Sequence, residues 1–302
     1  MKSVRSPFFY VGDKYKLMEQ INKIMPSNIN RYVEPFVGGG SSALNVRGKE
    51  YILNDIDNYV IRLHEELSKY KNNHKLLYKK LFSTIQRYEL SCSFRGYTVP
   101  DELKTKHKKT YYARFNKTAY MSMRDDYNAR PNNILLYLLL IYGFNHMIRF
   151  NKQGKFNLPV GNVDFNKNVY KAIEEYLNFM KKNKVEFSNC DYKIFLDRLD
   201  LDDSDYVFLD PPYLISMSEY NKLWDEDKER ELCLCLDELN AKRVRFGITN
   251  LVFHKNKENK IFREWSKKYN VFDISSNYIS YHDNTVKDSS KEVFVTNYGT
   301  RT

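Results

Sequence analysis

Cysteine is scarce in this 302-residue chain, with only Cys92, Cys190, Cys233 and Cys235. The closest two form a C-x-C without a second pair behind it, so the spacing of a zinc site is missing. Such thiols are expected to be buried or idle in a reducing cytoplasm. Long apolar runs are missing too. The longest, Ile134 to Tyr142, falls well short of the about 20 residues that cross a bilayer, so it reads as a core helix. Behind Met1 to Pro7 there is no hydrophobic region of signal-peptide length. A cytoplasmic setting without a membrane partner is therefore expected. There is no internal repeat and no low-complexity tract, which argues against a solenoid or a tail-like protein.

Charge is not balanced. Forty-nine Lys and Arg against 38 Asp and Glu leave a formal charge of +11, a field that attracts polyanions and makes their binding salt-sensitive. Genome base composition also produces lysine- and asparagine-rich chains, so the charge supports a nucleic-acid partner without establishing one. The length allows one α/β core with a smaller insertion.

Two short motifs carry the chemistry. Glu34-Pro35-Phe36-Val37-Gly38-Gly39-Gly40 follows the apolar Tyr32-Val33 and precedes Ser41-Ser42-Ala43-Leu44. It is placed where a strand turns into a helix around a bend that lets backbone approach a ligand. The spacing is not the dinucleotide fingerprint G-x-G-x-x-G, which favours a different cofactor with an adenosine end. Glu34, Phe36, Gly38 and Gly40 are the candidates of this turn. The next apolar run, Tyr51 to Asn54, ends on Asp55, an acid placed at a strand end to hydrogen-bond a ribose diol. A tight turn that holds nothing is the alternative for the glycines alone.

The second motif, Asp210-Pro211-Pro212-Tyr213, follows Asp205 to Leu209, a run that reads as a buried strand and puts Asp210 at its carboxyl end, where open α/β sheets bind ligands. Two prolines stiffen the loop and leave its carbonyls as acceptors. An acid, a carbonyl and an aromatic plane make a poor nucleophile but suit a planar aromatic amine such as adenine. Asp210 and the Pro211 carbonyl can take its two amine hydrogens, and Tyr213 can stack on the ring. Alignment of that nitrogen with an electrophilic methyl group would supply much of the rate, up to roughly 10 kcal/mol. The reaction calls for no metal.

With both motifs in this order, the chain resembles the D12-class (alpha group, Dam-like) DNA adenine-N6 methyltransferases over nearly its whole length. The resemblance implies S-adenosyl-L-methionine as methyl donor, double-stranded DNA as substrate, and a restriction-modification or orphan role, with any cognate endonuclease acting separately. It also implies that Tyr10, Lys14, Asp55 and Asp210 contact the cofactor. The family's aromatic-x-G-G-K element appears as Tyr10-Val11-Gly12-Asp13-Lys14, departing at Tyr10, where tryptophan is usual, and at Asp13, where the second glycine is usual. Without the family, Tyr10 and Lys14 would be ordinary amino-terminal residues.

Phe144 to Gly161 is similar, without a gap, to the family's N-G-x-x-R-[YF]-N-x-x-G-x-F-N-x-P-x-G segment. Arg149 can grip a guanine through two parallel hydrogen bonds, and Asn145 or Asn151 can pair with an adenine edge. Phe144 can wedge into the base stack while the target base leaves the duplex, at a cost of a few kcal/mol. By the family's pattern Arg149 and Pro159 read a G·C pair, which suggests a GATC-like or other G-A-containing site. His146 stands where glycine is usual and carries no assigned role. The basic, tyrosine-flanked run Lys104 to Tyr112 suits a phosphate backbone, or equally a solvated loop face.

The expected fold is α/β: a Rossmann-like seven-stranded methyltransferase sheet with an inserted, mainly helical target-recognition subdomain. Residues 1–85 and 165–302 would form the catalytic domain and 86–164 the DNA-binding insertion. Asp57 to Tyr70 and Glu226 to Asn240 read as helices, Arg243 to Asn250 and Glu292 to Tyr298 as strands, and Thr249-Asn250 resembles a family pair at a strand end. His282 to Lys291 reads as a loop able to meet DNA. A glutamine or RNA amine methyltransferase would usually carry Asn in place of Asp210 and lack the Arg149 to Pro159 segment. A nuclease would need the acids and lysine of Pro100 to Lys104 spread apart for a metal. No cysteine has the Pro-Cys context of a cytosine-C5 methylase. A non-catalytic DNA-binding scaffold on the same fold remains the third alternative.

Overall fold

The computed structural model describes residues 3–216, 224–275 and 290–299. Its centre is a sheet of eight strands: β1 (Arg31–Glu34), β2 (Glu50–Asn54), β3 (Lys184–Ser188), β4 (Tyr206–Leu209), β5 (Arg245–His254), β6 (Lys257–Glu258), β7 (Asn270–Ile274) and β8 (Ser290–Thr296). The order is β3-β2-β1-β4-β5-β8-β7, with the two-residue β6 paired to β5 off that path. The first five strands in this order are parallel. β8 runs antiparallel between β5 and β7.

Side chains alternate across the sheet as a period of two requires. Val33, Val207, Leu209, Phe246 and Ile248 face one layer, where they pack with α8 (Tyr192–Asp197), α9 (Glu226–Ala241) and α10 (Lys260–Ser266). Tyr32, Tyr206 and Phe208 face the other, over α1 (Met18–Ile24). On that side lie α2 (Asn58–Ser68), α3 (His74–Arg87) and α7 (Lys167–Lys182). Their apolar stripes share one core with α5 (Tyr111–Ala129) and α6 (Asn133–Tyr142). α2 is capped by Asp57, which accepts from the Tyr59 amide, and it buries the expected stripe Val60, Ile61, Leu63, His64 and Leu67. α6 is the apolar run read as a core helix, with Leu135 to Tyr142 all buried.

Three expectations change. The glycine turn leads into a single 3₁₀ turn, Ala43–Asn45, and not a helix. There the Asn45 amide donates to Ser41 O at 2.6 Å and to Val4 O at 2.7 Å, and side-chain bonds of this kind compete with helical pairing. The Lys104 to Tyr112 run spans the end of α4 (Asp101–Lys106), a turn over 107–110 and the start of the 19-residue α5, so only its middle is a loop. The α5 face inward is Asn116, Tyr120, Met123 and Tyr127, too polar to register as an apolar stripe. Finally, β5 continues to His254, so Thr249-Asn250 lies inside a strand. Of the His282 to Lys291 run, only Ser290 and Lys291 are among the described residues, and they open β8.

Candidate functional site

The sheet turns at one point. From β1 the chain moves outward to β2 and β3, then crosses to β4 and β5 on the other side, so β1 and β4 are parallel neighbours between which the direction reverses. Ligands of open α/β sheets bind outside the carboxyl ends of the strands at such a point. Both sequence motifs emerge there: Pro35 to Gly40 follows β1 and Asp210 follows β4.

The glycine loop is held from several directions. Gly38 and Gly40 have φ of +46° and +76°, values open to glycine but strained for other residues. The Gly38 amide donates to Asp55 Oδ2 at 2.8 Å, while Asp55 Oδ1 accepts from the Asp57 amide at 2.9 Å. Asp55 therefore braces the loop and holds Asp57, the cap of α2, a role its position at a strand end did not reveal. Burial pushes its carboxyl up to about 6, against the opposing pull of those two amides. The Asn54 side chain donates to Pro35 O at 3.0 Å and to Cys190 O at 2.9 Å, joining the ends of β1, β2 and β3. Tyr10 packs its ring against the loop; a Cβ on Gly38 would sit 3.6 Å from Tyr10 Cδ1.

Glu34 is buried behind the loop, where one carboxyl oxygen accepts from the Ser42 hydroxyl and Oε2 has no partner among the described residues. Burial raises its carboxyl well above the usual range. Phe36 points to the opposite side and packs on Tyr192 and Trp224, with centroids 5.1 and 5.8 Å away. Trp224 is itself fixed by Glu229 (2.6 Å), which also accepts from Asn250 and Asn259 at 2.8 and 2.7 Å.

Around Asp210 two donors converge on one oxygen, with a phenol hydroxyl beside them. Lys14 Nζ lies 2.8 Å from Oδ1, the Thr249 hydroxyl donates to it at 2.8 Å, and the Tyr213 hydroxyl is 3.2 Å away. Oδ2 has no partner among the described residues, and the side chain is 20% exposed, so one oxygen is anchored while the other is available. Thr249 reaches Asp210 because Leu209 pairs with Ile248 and β5 continues past the end of β4. Glu292 of β8 was not anticipated. It is buried, accepts from the Tyr213 hydroxyl at 2.6 Å and lies 3.8 Å from Lys14 Nζ. The Tyr213 hydroxyl has one hydrogen, and the shorter contact assigns it to Glu292. Lys14 Nζ also sits 4.9 Å from the centre of the Tyr213 ring. The only sequence signal for Glu292 was an acid opening an otherwise apolar strand. Pro211 is buried and Pro212 half-buried within this loop.

The DNA-reading candidates form an irregular ribbon. Gly143 bridges Val160 and Phe150 bridges Phe156. Gly161 packs so closely on this crossing that a Cβ there would lie 2.6 Å from Gly143 O. Arg149 donates from Nε to Asn157 Oδ1 and from Nη2 to Asn157 O, both at 2.9 Å. That holds the guanidinium flat on the ribbon with Nη1 remaining. Asn151 Oδ1 instead accepts from the Gln153 and Lys155 amides at 3.0 and 2.9 Å, closing the tip of the ribbon. Phe144, Asn145 and Pro159 are exposed. Asn145 and His146 both have left-handed φ, +54° and +51°. At His146 that conformation accounts for the glycine usual there. The ring is held by Leu140 O at 3.2 Å and lies 5.4 Å from the Phe9 ring. Phe150 stacks at 4.2 Å on Tyr59, at the first turn of α2 just beyond Asp55, which fastens the ribbon beside the carboxyl edge of the sheet.

Sheet order and crevice together define a Rossmann-like α/β fold of the methyltransferase type, with β8 inserted antiparallel between β5 and β7. The chain belongs to the D12 class N6 adenine-specific DNA methyltransferase family, whose model matches residues 10–279. Similar proteins include Type II methyltransferase M.FokI of Planomicrobium okeanokoites, 31% identical over 98% of this chain and 43% of its own length. Modification methylase StsI of Streptococcus sanguinis is 31% identical over all of this chain and 44% of its own. The DNA adenine methylase of Escherichia coli K12 is 30% identical over 70% of this chain and 66% of its own. The chain thus spans less than half the length of the first two relatives.

Proposed function

We propose that this protein transfers a methyl group from S-adenosylmethionine to the exocyclic N6 of an adenine flipped out of a short duplex site. The single observation that carries the reading is the asymmetry of Asp210. Lys14 and Thr249 hold Oδ1, leaving Oδ2 at the carboxyl edge of the sheet as an acceptor. An adenine amine placed there would donate one hydrogen to Oδ2 and the other to the Pro211 carbonyl. That draws its lone pair out of conjugation and aims it. The Tyr213 ring is 7% exposed, so stacking on the base would require the ring to move off Lys14.

The cofactor fits the other half of the crevice. A Cβ on Gly39 or Gly40 would run into Tyr10, Ser6 or His64, so the loop keeps a bare backbone; Glu34 Oε2 is buried without a partner among the described residues, and Phe36 gives a flat apolar wall. S-adenosylmethionine, when bound, supplies the electrophilic methyl group. Glu34, Phe36, Gly38, Gly40 and Asp55 would hold it on the β1 side, with Tyr10 and Lys14 over the loop. The ribbon would read DNA through Phe144, Asn145, Arg149 and Pro159, with Asn151 shaping its tip. Residues 86–164 would be the recognition unit, packed on the core that α2, α3 and α7 also share. The names of M.FokI and StsI fit a modification role beside a separate restriction endonuclease.

Incubation with labelled S-adenosylmethionine and unmethylated duplex, followed by nucleoside analysis and mapping, tests this directly. N6-methyladenine at a short fixed motif is expected. Cofactor uptake without DNA methylation would turn the reading to an RNA or protein amine.

Two further results are expected. Arg149→Ala should relax discrimination at one guanine by about 1–3 kcal/mol. The readout is the ratio of specificity constants on matched and substituted duplexes; an unchanged ratio assigns sequence reading elsewhere. Cofactor affinity should fall as pH drops through about 6, where Asp55 takes up its proton. The ionised carboxyl accepts from the Gly38 amide and would accept from ribose hydroxyls, so binding favours that form and weakens with protonation. Calorimetric titrations from pH 5 to 8 should show the slope in the wild type and lose it in Asp55→Asn.

A further inference from the structure

One buried group at the glycine loop has no role in the chemistry above. His64 of α2 is fully buried, with Nε2 2.9 Å from Gly38 O and Nδ1 2.9 Å from the Tyr176 hydroxyl. A carbonyl only accepts, so Nε2 carries the proton, and the single Tyr176 hydrogen goes to the bare Nδ1 at 2.9 Å, nearer than the His64 carbonyl at 3.2 Å. Burial also pushes the imidazole down to about 4, which leaves it neutral with a single ring proton at neutral pH. The ring itself cannot turn freely: Phe8 meets it edge-on at 4.6 Å and Phe187 stacks on it at 5.2 Å. A Cβ on Gly40 would come within 3.0 Å of His64 Cε1, so the loop lies directly on the imidazole.

We propose that His64, held in one tautomer by Tyr176, is a positioning residue for the cofactor: it turns the Gly38 carbonyl inward and thereby fixes the backbone of the glycine loop. This rests on the reading of that loop as the cofactor cradle. Because C=O and N–H point opposite ways across a trans peptide, a Gly38 carbonyl drawn toward His64 turns the Gly39 N–H away from it. The Gly39 N–H has no acceptor among the described residues, while the Ser6 hydroxyl donates to the Gly39 carbonyl from the other side. With Gly38 N on Asp55 and Gly40 N on Val37 O at 2.7 Å, the loop is pinned on each flank and presents one free donor. Without His64, the Gly38 carbonyl would lose its buried donor and that peptide would be free to rotate.

The test compares wild type with His64→Gln, His64→Leu and Tyr176→Phe by calorimetric titration with S-adenosylmethionine, steady-state methyl transfer, and hydrogen exchange of the amides of residues 37–41. Glutamine can place its amide nitrogen where Nε2 was and donate to the same carbonyl. His64→Leu should raise Kd and KM for the cofactor by roughly tenfold or more, with kcat at saturating cofactor little changed and faster exchange of the loop. His64→Gln should recover most of the affinity. Tyr176→Phe keeps the buried ring and loses only the hydroxyl; it should weaken binding a few-fold, and it decides the matter if His64→Leu does not fold. Wild-type affinity in folded His64→Leu, or in both histidine variants alike, overturns the proposal. If the wild type does not take up S-adenosylmethionine, the cofactor reading falls, and the exchange data alone decide whether His64 holds the loop.

Discussion

Asp210→Ala should reduce methyl transfer at least about a thousandfold while the protein remains folded and binds DNA. The effect is large because the carboxylate serves as both acceptor and reference point. Oδ1 is the common target of Lys14 and Thr249, and Oδ2 is the atom left for the substrate. Alanine removes the acceptor, and it also releases Lys14 toward Glu292, the remaining acid 3.8 Å away. Asp210→Asn keeps the shape, but with its oxygen on Lys14 and Thr249 its amide nitrogen donates where Oδ2 must accept. It should be nearly as impaired. Single-turnover transfer at saturating cofactor is the measurement, with circular dichroism and duplex binding as controls. An alanine variant within tenfold of wild type would show that Asp210 does not hold the amine. Loss of folding in both variants would assign the residue a structural role.

How much of this was legible in the sequence depends on which contacts are local. The short apolar runs before Glu34, Asp55 and Asp210 marked three strands of the parallel sheet, since strands buried on both faces read as continuous apolar runs. The motif residues beyond them inherited correct positions at the carboxyl edge. The edge strands β3 and β7 were not readable: Lys184–Ser188 and Asn270–Ile274 are largely exposed or half-buried and carry no such run. α5 was missed because its inward face is built from Asn116 and tyrosines, whose burial depends on distant partners such as Ser91 and Leu139. In the site, residues within a motif could be named, but those from elsewhere in the chain could not. Glu292, His64 and Asn54 meet the motif residues only through sheet register or helix packing. Asp55 was placed correctly, yet its bond to the Gly38 amide required knowing how the loop folds back. Asn151 looked like a base reader because asparagine suits adenine, and its turn-closing bonds are visible only in the ribbon.

Lys14→Met should be the most destabilising single change in the site. The ammonium is 8% exposed and lies between Asp210 and Glu292, which are 20% and 0% exposed, at 2.8 and 3.8 Å. All three groups are too buried for solvent to screen the interaction away, and removing one member of such a set costs about 3–5 kcal/mol. The lower end of that range is expected, because Asp210 keeps Thr249 as a donor and has an edge toward solvent. What remains is two carboxylates joined through one phenol, with no cation between them. The double variant Lys14→Met, Glu292→Gln should therefore be more stable than Lys14→Met alone, by about 1 kcal/mol or more, since neighbouring charges of one network do not act additively. Thermal and urea unfolding of the four combinations gives the coupling. Strict additivity would mean that Lys14 does not compensate Glu292. Turnover separates the two roles of the lysine. If Lys14 only balances charge, the double variant should regain activity along with stability. If it also aims Asp210, as the convergence on Oδ1 implies, the double variant should be restored in stability and stay impaired in methyl transfer.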